Sequence, residues 1–277
     1  RPSTAVAGRP MSDHALSETV DLATYPIDRL ASAPGRRLID DCRRRIGTDG
    51  ALVLPGFLTP AAVASILRET GAMLGDCYYC AHSHNPYLAA NDDALPADHP
   101  RNIVNVSDVG CVADDRIPAG SLLRRVYVSA EFRALIAAFL GYGELFRYDD
   151  PLGSLNVNIQ NKGQQLNWHY DNAEFVTTIL LQNSEDGGAF EYCPNLRRPD
   201  DENYDAVAAV LEGDRAAVRT LEISPGALVL FRGRFSLHRV TPVAGGRPRI
   251  IAILSYDTKP GVMLTEFTRK LFYGRVA

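Results

Sequence analysis

The sequence lacks long apolar runs. Residues 51–58 and 135–140 come nearest, and both stop far short of the roughly 18 residues that a membrane-spanning helix needs. It also lacks a basic block or an aromatic-basic stripe. Its 29 Lys and Arg and 33 Asp and Glu are dispersed and leave a net charge of -4, which excludes the electrostatic footprint of a nucleic-acid binder. Cysteine is scarce and odd in number (Cys42, Cys77, Cys80, Cys111, Cys193), and residues 1–10 contain no apolar core of a secretion signal. Reduced thiols in a cytoplasm are therefore expected, not a disulfide framework. Internal repeats and low-complexity tracts are absent as well. Apolar residues are plentiful: they make up 46% of 277, enough for one large core. The expected partner is a small molecule, with no nucleic acid and no membrane; a homodimer is the one further assembly the reading admits.

Residues 1–10 read as a cloning remnant or a disordered tail ahead of Met11-Ser12-Asp13, and residues 1–24 as an arm. Residues 25–277 read as a single domain with helical support over 36–141 and a jelly-roll core over 150–260. Leu38, Ile39, Cys42 and Ile46 have helical spacing, and Thr59-Pro60 is an N-cap followed by proline at the first helical position. Residues 121–141 repeat apolar side chains at helical spacing. Residues 76–120, rich in Tyr, Asn, Asp, His and Pro, read as a long irregular cover with one strand-like piece at 102–107, and residues 78–115 as a lid. From residue 144 the period becomes two. Asn156, Asn158 and Gln160 alternate with Leu155, Val157 and Ile159, and short strands separated by Gly and Pro turns continue to residue 256. The fold class expected is α+β: a double-stranded β-helix (jelly roll, cupin-like) with supporting N-terminal helices.

The stretch Trp168-His169-Tyr170-Asp171-Asn172 organises the rest. In an extended chain His169 and Asp171 point to one face, and Trp168, Tyr170 and Asn172 to the other. An imidazole and a carboxylate on one face can grip one metal ion. His238, on a later strand, adds a second imidazole. Two His and one carboxylate leave three metal positions open, the pattern of non-haem Fe(II) oxygenases. A rival set, Cys77, Cys80, His82 and His84, offers four zinc ligand types, but nothing separates its two pairs by a folded finger, so zinc is not expected there.

His169-Tyr170-Asp171, His238 and Arg249 resemble the His-x-Asp…His…Arg signature of the Fe(II)/2-oxoglutarate-dependent oxygenases. The runs at 175–182 and 187–192, Phe231-Arg232-Gly233-Arg234 and Phe272-Tyr273-Gly274-Arg275 resemble the bacterial group of free-amino-acid halogenases and their hydroxylase relatives. The resemblance implies Fe(II) held by His169, Asp171 and His238, with 2-oxoglutarate and O2 as cosubstrates. It implies that Arg249 grips the distal carboxylate of 2-oxoglutarate, a task suited to a planar guanidinium. Arg247 is the neighbour that could replace it, and Thr178 and the row Asn156, Asn158 and Gln160 are either second contacts or the solvated face of an edge strand. In relatives that halogenate, Gly or Ala stands where this chain has Asp171, so hydroxylation is expected and halogenation is not.

The resemblance further implies a free amino acid or similar small polar metabolite as substrate. Candidate contacts are Asn156, Asn172, Glu174, Ser255 and Asp257. The same oxidation diverted to desaturation or ring closure is an alternative outcome. A non-catalytic cupin-like binding protein is an alternative of another class, against which the presence of all three ligands and Arg249 argues, and a metal-dependent isomerase or hydrolase is a third, which leaves Arg249 without a purpose.

Overall fold

The computed structural model describes residues 13–277; the tail expected at residues 1–10 lies outside them. Seven helices and two principal sheets organise the described residues. Helices α1 (Asp13–Thr19), α2 (Ala33–Asp49), α3 (Pro60–Met73), α4 (Leu122–Val128) and α5 (Ala130–Leu140) form the N-terminal support, α6 (Tyr204–Leu211) covers the smaller sheet, and α7 (Glu266–Tyr273) ends the fold. The strands in chain order are β1 (Ala51–Leu54), β2 (Tyr78–His84), β3 (Asn105–Val112), β4 (Phe146–Arg147), β5 (Leu155–Gln160), β6 (Leu166–His169), β7 (Val176–Gln182), β8 (Asp186–Gly187), β9 (Phe190–Cys193), β10 (Arg219–Leu221), β11 (Leu228–Phe231), β12 (Leu237–Val240), β13 (Val243–Ala244), β14 (Arg249–Leu254) and β15 (Tyr256–Asp257).

Local chemistry sets the helix ends. Ser32 accepts a hydrogen bond from Gly35 N to start α2, and Gly50, at φ 66°, closes it with a bond to Ile46 O. Thr59 caps α3 through Ala62 N, with Pro60 at its first position. The single helical stretch expected over 121–141 is two helices, because Ser129 leaves helical geometry (ψ 138°) and caps α5 through Phe132 N. Phe57, Phe132, Leu135, Ile136 and Phe139 on the helical side pack against Leu155, Val157, Ile179 and Leu228 of the larger sheet, forming the main core.

The larger sheet has the order β1-β11-β7-β14-β5-β3-β2, and the smaller one β10-β9-β12-β6. Every pairing in them is antiparallel. One face of the larger sheet rests on the helices and the other looks toward the smaller sheet, which is the expected jelly-roll arrangement.

Three expectations are corrected. Residues 76–120 are not an irregular lid: they carry β2 and β3, a paired arm that extends the large sheet from Tyr78↔Cys111 to His84↔Asn105. The Asn156, Asn158 and Gln160 row is not the solvated face of an edge strand. β5 lies between β14 and β3 and is buried along its whole length. Helix α7 was not anticipated, although Thr265 caps it and Gly274 (φ 69°) ends it.

Candidate metal centre

His169 closes β6, and His238 lies directly opposite it on β12, the two Cα positions being register partners. Their rings stand 4.2 Å apart between centroids. Each imidazole is fixed by its own strand in the same way. His169 Nδ1 meets Asn167 O at 2.7 Å, and His238 Nδ1 meets Ser236 O at 2.9 Å. A carbonyl only accepts, so both Nδ1 atoms carry the proton and both Nε2 lone pairs are left free. Asp171 follows the strand in a turn, held by its N–H on Gly233 O at 3.1 Å. Its Oδ1 is 3.8 Å from His169 Nε2 and 3.6 Å from His238 Nε2. The three ligand atoms lie within 4.8 Å of one another, and among the described residues no other group of three His, Cys, Asp or Glu side chains does so.

The electrostatics suit a cation at this point. Burial, followed by the neighbouring His238, pushes His169 down to about 3, so its imidazole is neutral. Burial pushes the Asp171 carboxyl up, but the two histidine rings that face it, His238 first and His169 second, outweigh it. The carboxyl stays below the ordinary range and is ionised. Two imidazole nitrogens and one carboxylate oxygen converge here, a donor set that fits Fe(II).

Across the same cavity, about 320 Å³ in volume, lies Arg249 on β14. It is 4% exposed, and its one side-chain hydrogen bond runs from Nη1 to Gln160 Oε1 at 3.1 Å. No carboxylate pairs with it among the described residues. Burial lowers it to about 10, so it is charged at neutral pH. A buried, unpaired guanidinium is costly unless an anion arrives to meet it. Beside it the Nε2 of Gln160 is also buried without a partner. The pair fits the distal carboxylate of a dicarboxylic acid.

The expected site residues are placed unevenly. Asn156, Asn172, Thr178, Ser255 and Arg249 line the cavity with the triad. Ser255 Oγ is already engaged, donating to Gly153 O at 3.0 Å. Arg247 stays outside, where its guanidinium holds Asn183 O at 3.0 Å and Ser184 O at 3.3 Å, so it is no substitute for Arg249. Glu174 and Asp257 also fall outside the lining. Glu174 is 3.5 Å from Arg232, and Asp257 accepts from Lys259 N at 3.0 Å. The Cys77–His84 run is the strand β2, and it forms no second metal group among the described residues.

The cavity also gains side chains that the sequence reading left aside. His82, His84 and Ser107 come from β2 and β3, and Leu264, Thr268 and Phe272 from α7 and the turn before it. The period-two run Cys80-x-His82-x-His84 was a usable strand signal. Thr265 followed by Thr268 and Phe272 and ended by Gly274 was a usable helix signal. His84 is structural: its Nδ1 meets Asn85 O at 3.0 Å and its Nε2 meets Ser107 Oγ at 2.7 Å, while burial holds it below its ordinary pKa.

The family profile of HalD, halogenase D, matches residues 39–270. Among solved structures the chain is similar to an oxidoreductase of the 2OG-Fe(II) oxygenase family from Burkholderia pseudomallei, with 14% identity, 81% of this chain and 92% of that one covered, and a TM-score of 0.53. It is similar to AviO1 from Streptomyces viridochromogenes Tue57, with 17% identity, 80% and 96% covered, and a TM-score of 0.55. It is also similar to SnoN, the non-haem α-ketoglutarate-dependent epimerase of nogalamycin biosynthesis, with 15% identity, 80% and 81% covered, and a TM-score of 0.55. At these identities the likeness carries the fold. No curated protein matches the chain.

Proposed function

The chain belongs to the halogenase D family of the Fe(II)/2-oxoglutarate-dependent oxygenases, and on that premise we propose that it hydroxylates a C–H bond of a small organic molecule. His169, Asp171 and His238 would hold Fe(II), and Arg249 would hold the distal carboxylate of 2-oxoglutarate, with Thr178 a further contact on the same lining. When bound, the metal and cosubstrate supply with O2 the oxidising power for C–H cleavage, 2-oxoglutarate leaving as succinate and CO2.

The chain's own residues do the rest. Carbonyls on Asn167 and Ser236 keep both Nε2 lone pairs directed at one point, so little reorganisation is needed when a metal arrives. Arg249 fixes the far end of the cosubstrate and so its orientation at the metal. The apolar walls around Val229, Phe231, Ile251 and Ile253 keep water away from the reacting atoms.

One observation carries the choice of hydroxylation within a family named for halogenation. Asp171 has its carboxylate between the two imidazoles, 3.6 and 3.8 Å from their Nε2 atoms. It would take the metal position that a halide occupies in the relatives where Gly or Ala stands there. All five cysteines are free thiols, which suits a reducing compartment.

Anaerobic protein with Fe(II) and 2-oxoglutarate should show the visible metal-to-ligand absorption band. After air and substrate are added, succinate and a product with one added oxygen should form in step. A missing band would overturn the cofactor assignment, and a chlorinated product formed in the presence of chloride would overturn hydroxylation.

A further inference from the structure

The cavity is short of charge. Among the described residues that line it, Asp171 is the one carboxylate and Arg249 the one guanidinium or ammonium, and the oxygenase reading commits both to the metal and the cosubstrate. None of the charged groups near its mouth belongs to the lining: Glu174 lies 3.5 Å from Arg232, Arg234 is exposed and donates to the backbone carbonyl of Asn172, and the Asp257 carboxylate accepts from Lys259 N. A free amino acid would bring in an ammonium and a carboxylate and find no opposite charge for either. Each buried without a partner costs several kcal/mol, about a thousandfold or more in affinity.

The cavity does offer neutral hydrogen bonding. Asn156 and Asn158, two apart on β5, both point into it, and they are only 5% and 9% exposed. Asn156 makes no side-chain hydrogen bond within the described residues. Asn158 Oδ1 accepts the Cys111 thiol at 3.3 Å, which leaves its NH2 group unused. Two carboxamides about 7 Å apart thus present donors and an acceptor in a row. His82 Nδ1 is a further buried polar atom without a partner, its ring against the edge of Phe272 at 5.4 Å. Around these atoms the wall is apolar: Leu88, Leu166, Ile253, Leu264 and Phe272. Carboxamides with unused hydrogen-bonding groups on an apolar wall favour a ligand that supplies both halves of an amide hydrogen-bond pair and covers the rest with hydrocarbon.

Resting on the oxygenase reading above, we propose that the substrate is an uncharged molecule with an amide, lactam or similar neighbouring donor and acceptor on an apolar body, and that Asn156 and Asn158 read that polar group. Its charge is absent or masked before it reaches this enzyme, so a reaction class that forms amides or closes lactams precedes this one.

The test uses charge-stripped pairs on the unaltered protein: L-leucine against N-acetyl-L-leucinamide, and L-leucyl-L-proline against its cyclic dipeptide. Binding is read by saturation-transfer NMR on metal-free protein and by the shift of the anaerobic Fe(II)–2-oxoglutarate band. Neutral members should bind at least about tenfold more tightly than their charged partners. Asn156→Leu and Asn158→Leu should each lose about tenfold of that binding with the band itself retained. Asn156→Asp should shift the preference toward ligands with a free amine. The proposal is overturned if a zwitterion binds as tightly as its neutral partner, if no neutral amide binds at millimolar concentration, or if both Leu variants bind the amides unchanged. NMR binding without any band would instead count against the oxygenase reading alone.

Discussion

Gly233 has no side chain where Asp171 has its carboxylate. A Cβ on Gly233 would stand 2.5 Å from Asp171 Cγ and closer still to Oδ2. The backbone here needs no left-handed conformation, so the demand on Gly233 is for space alone. Gly233→Ala should therefore push the carboxylate out of line with the two imidazoles. We expect a loss of ~10–100-fold in metal affinity with an unchanged far-ultraviolet circular dichroism spectrum. Titration with Mn(II) followed by electron paramagnetic resonance measures this; unchanged affinity would refute the packing argument.

Arg249 makes its one side-chain hydrogen bond to Gln160 and meets no carboxylate among the described residues. Arg249→Leu removes the charge while roughly keeping the volume. Stability should hold or rise, because a buried unpaired cation is lost. The KM for 2-oxoglutarate should increase by at least about tenfold, because the contact positions the cosubstrate. A melting curve and a cosubstrate titration on the same sample separate the two effects. A lowered melting temperature with unchanged KM would assign the residue to the fold and not to the ligand.

Metal should stabilise the chain through one site. At a free metal concentration a hundredfold above Kd the gain is about 2.7 kcal/mol. For a chain of this size that corresponds to a rise in Tm of ~5 °C, reversed by a chelator. His238→Ala should abolish the shift. Cys80→Ser should leave it intact, since the cysteines and histidines of β2 gather no metal group among the described residues. Retained zinc that disappears in Cys80→Ser would contradict this.

Asp150 ties the substrate-side wall to the barrel. Its carboxylate is fully buried and accepts from Leu152 N at 2.9 Å, Gly153 N at 2.7 Å and Leu264 N at 2.8 Å, with Arg269 Nε 3.2 Å away. Asp150→Ala leaves three backbone donors without their acceptor and the Arg269 guanidinium without its counter-charge. Destabilisation of about 3–5 kcal/mol is expected. Because Arg269 belongs to α7, limited proteolysis should open the segment around residues 264–277 before the rest of the chain. Uniform digestion would show that α7 is anchored by other contacts.

The metal centre was legible in the sequence because it depends on short-range geometry. Two residues apart in an extended chain face the same way, and that rule put His169 and Asp171 together although β6 ends at His169 and Asp171 lies just past it. The partner His238 was legible from its own strand pattern. The wall of the cavity was not, and for a different reason. Whether Asn156 and Asn158 meet water or a ligand depends on whether β5 is an edge or a centre, and β3 pairing on its far side decides that. The β2 and β3 arm was hidden because its Pro- and Asn-rich connection drew attention away from two plain strands. Glu174, just past Asp171, and Asp257, at the end of the Arg249 strand, were expected as ligand contacts, yet their side chains meet partners outside the lining.

The two ends of the cavity come from different parts of the chain. Arg249, Thr178 and His238 sit on strands hemmed in on both sides, whereas His82, Thr268 and Phe272 come from an outermost strand and a terminal helix. An alteration in the outer pieces is not transmitted to neighbours on every side. Tailoring this catalyst to a new compound is therefore best begun at β2 and α7, where the machinery that activates oxygen has least to lose.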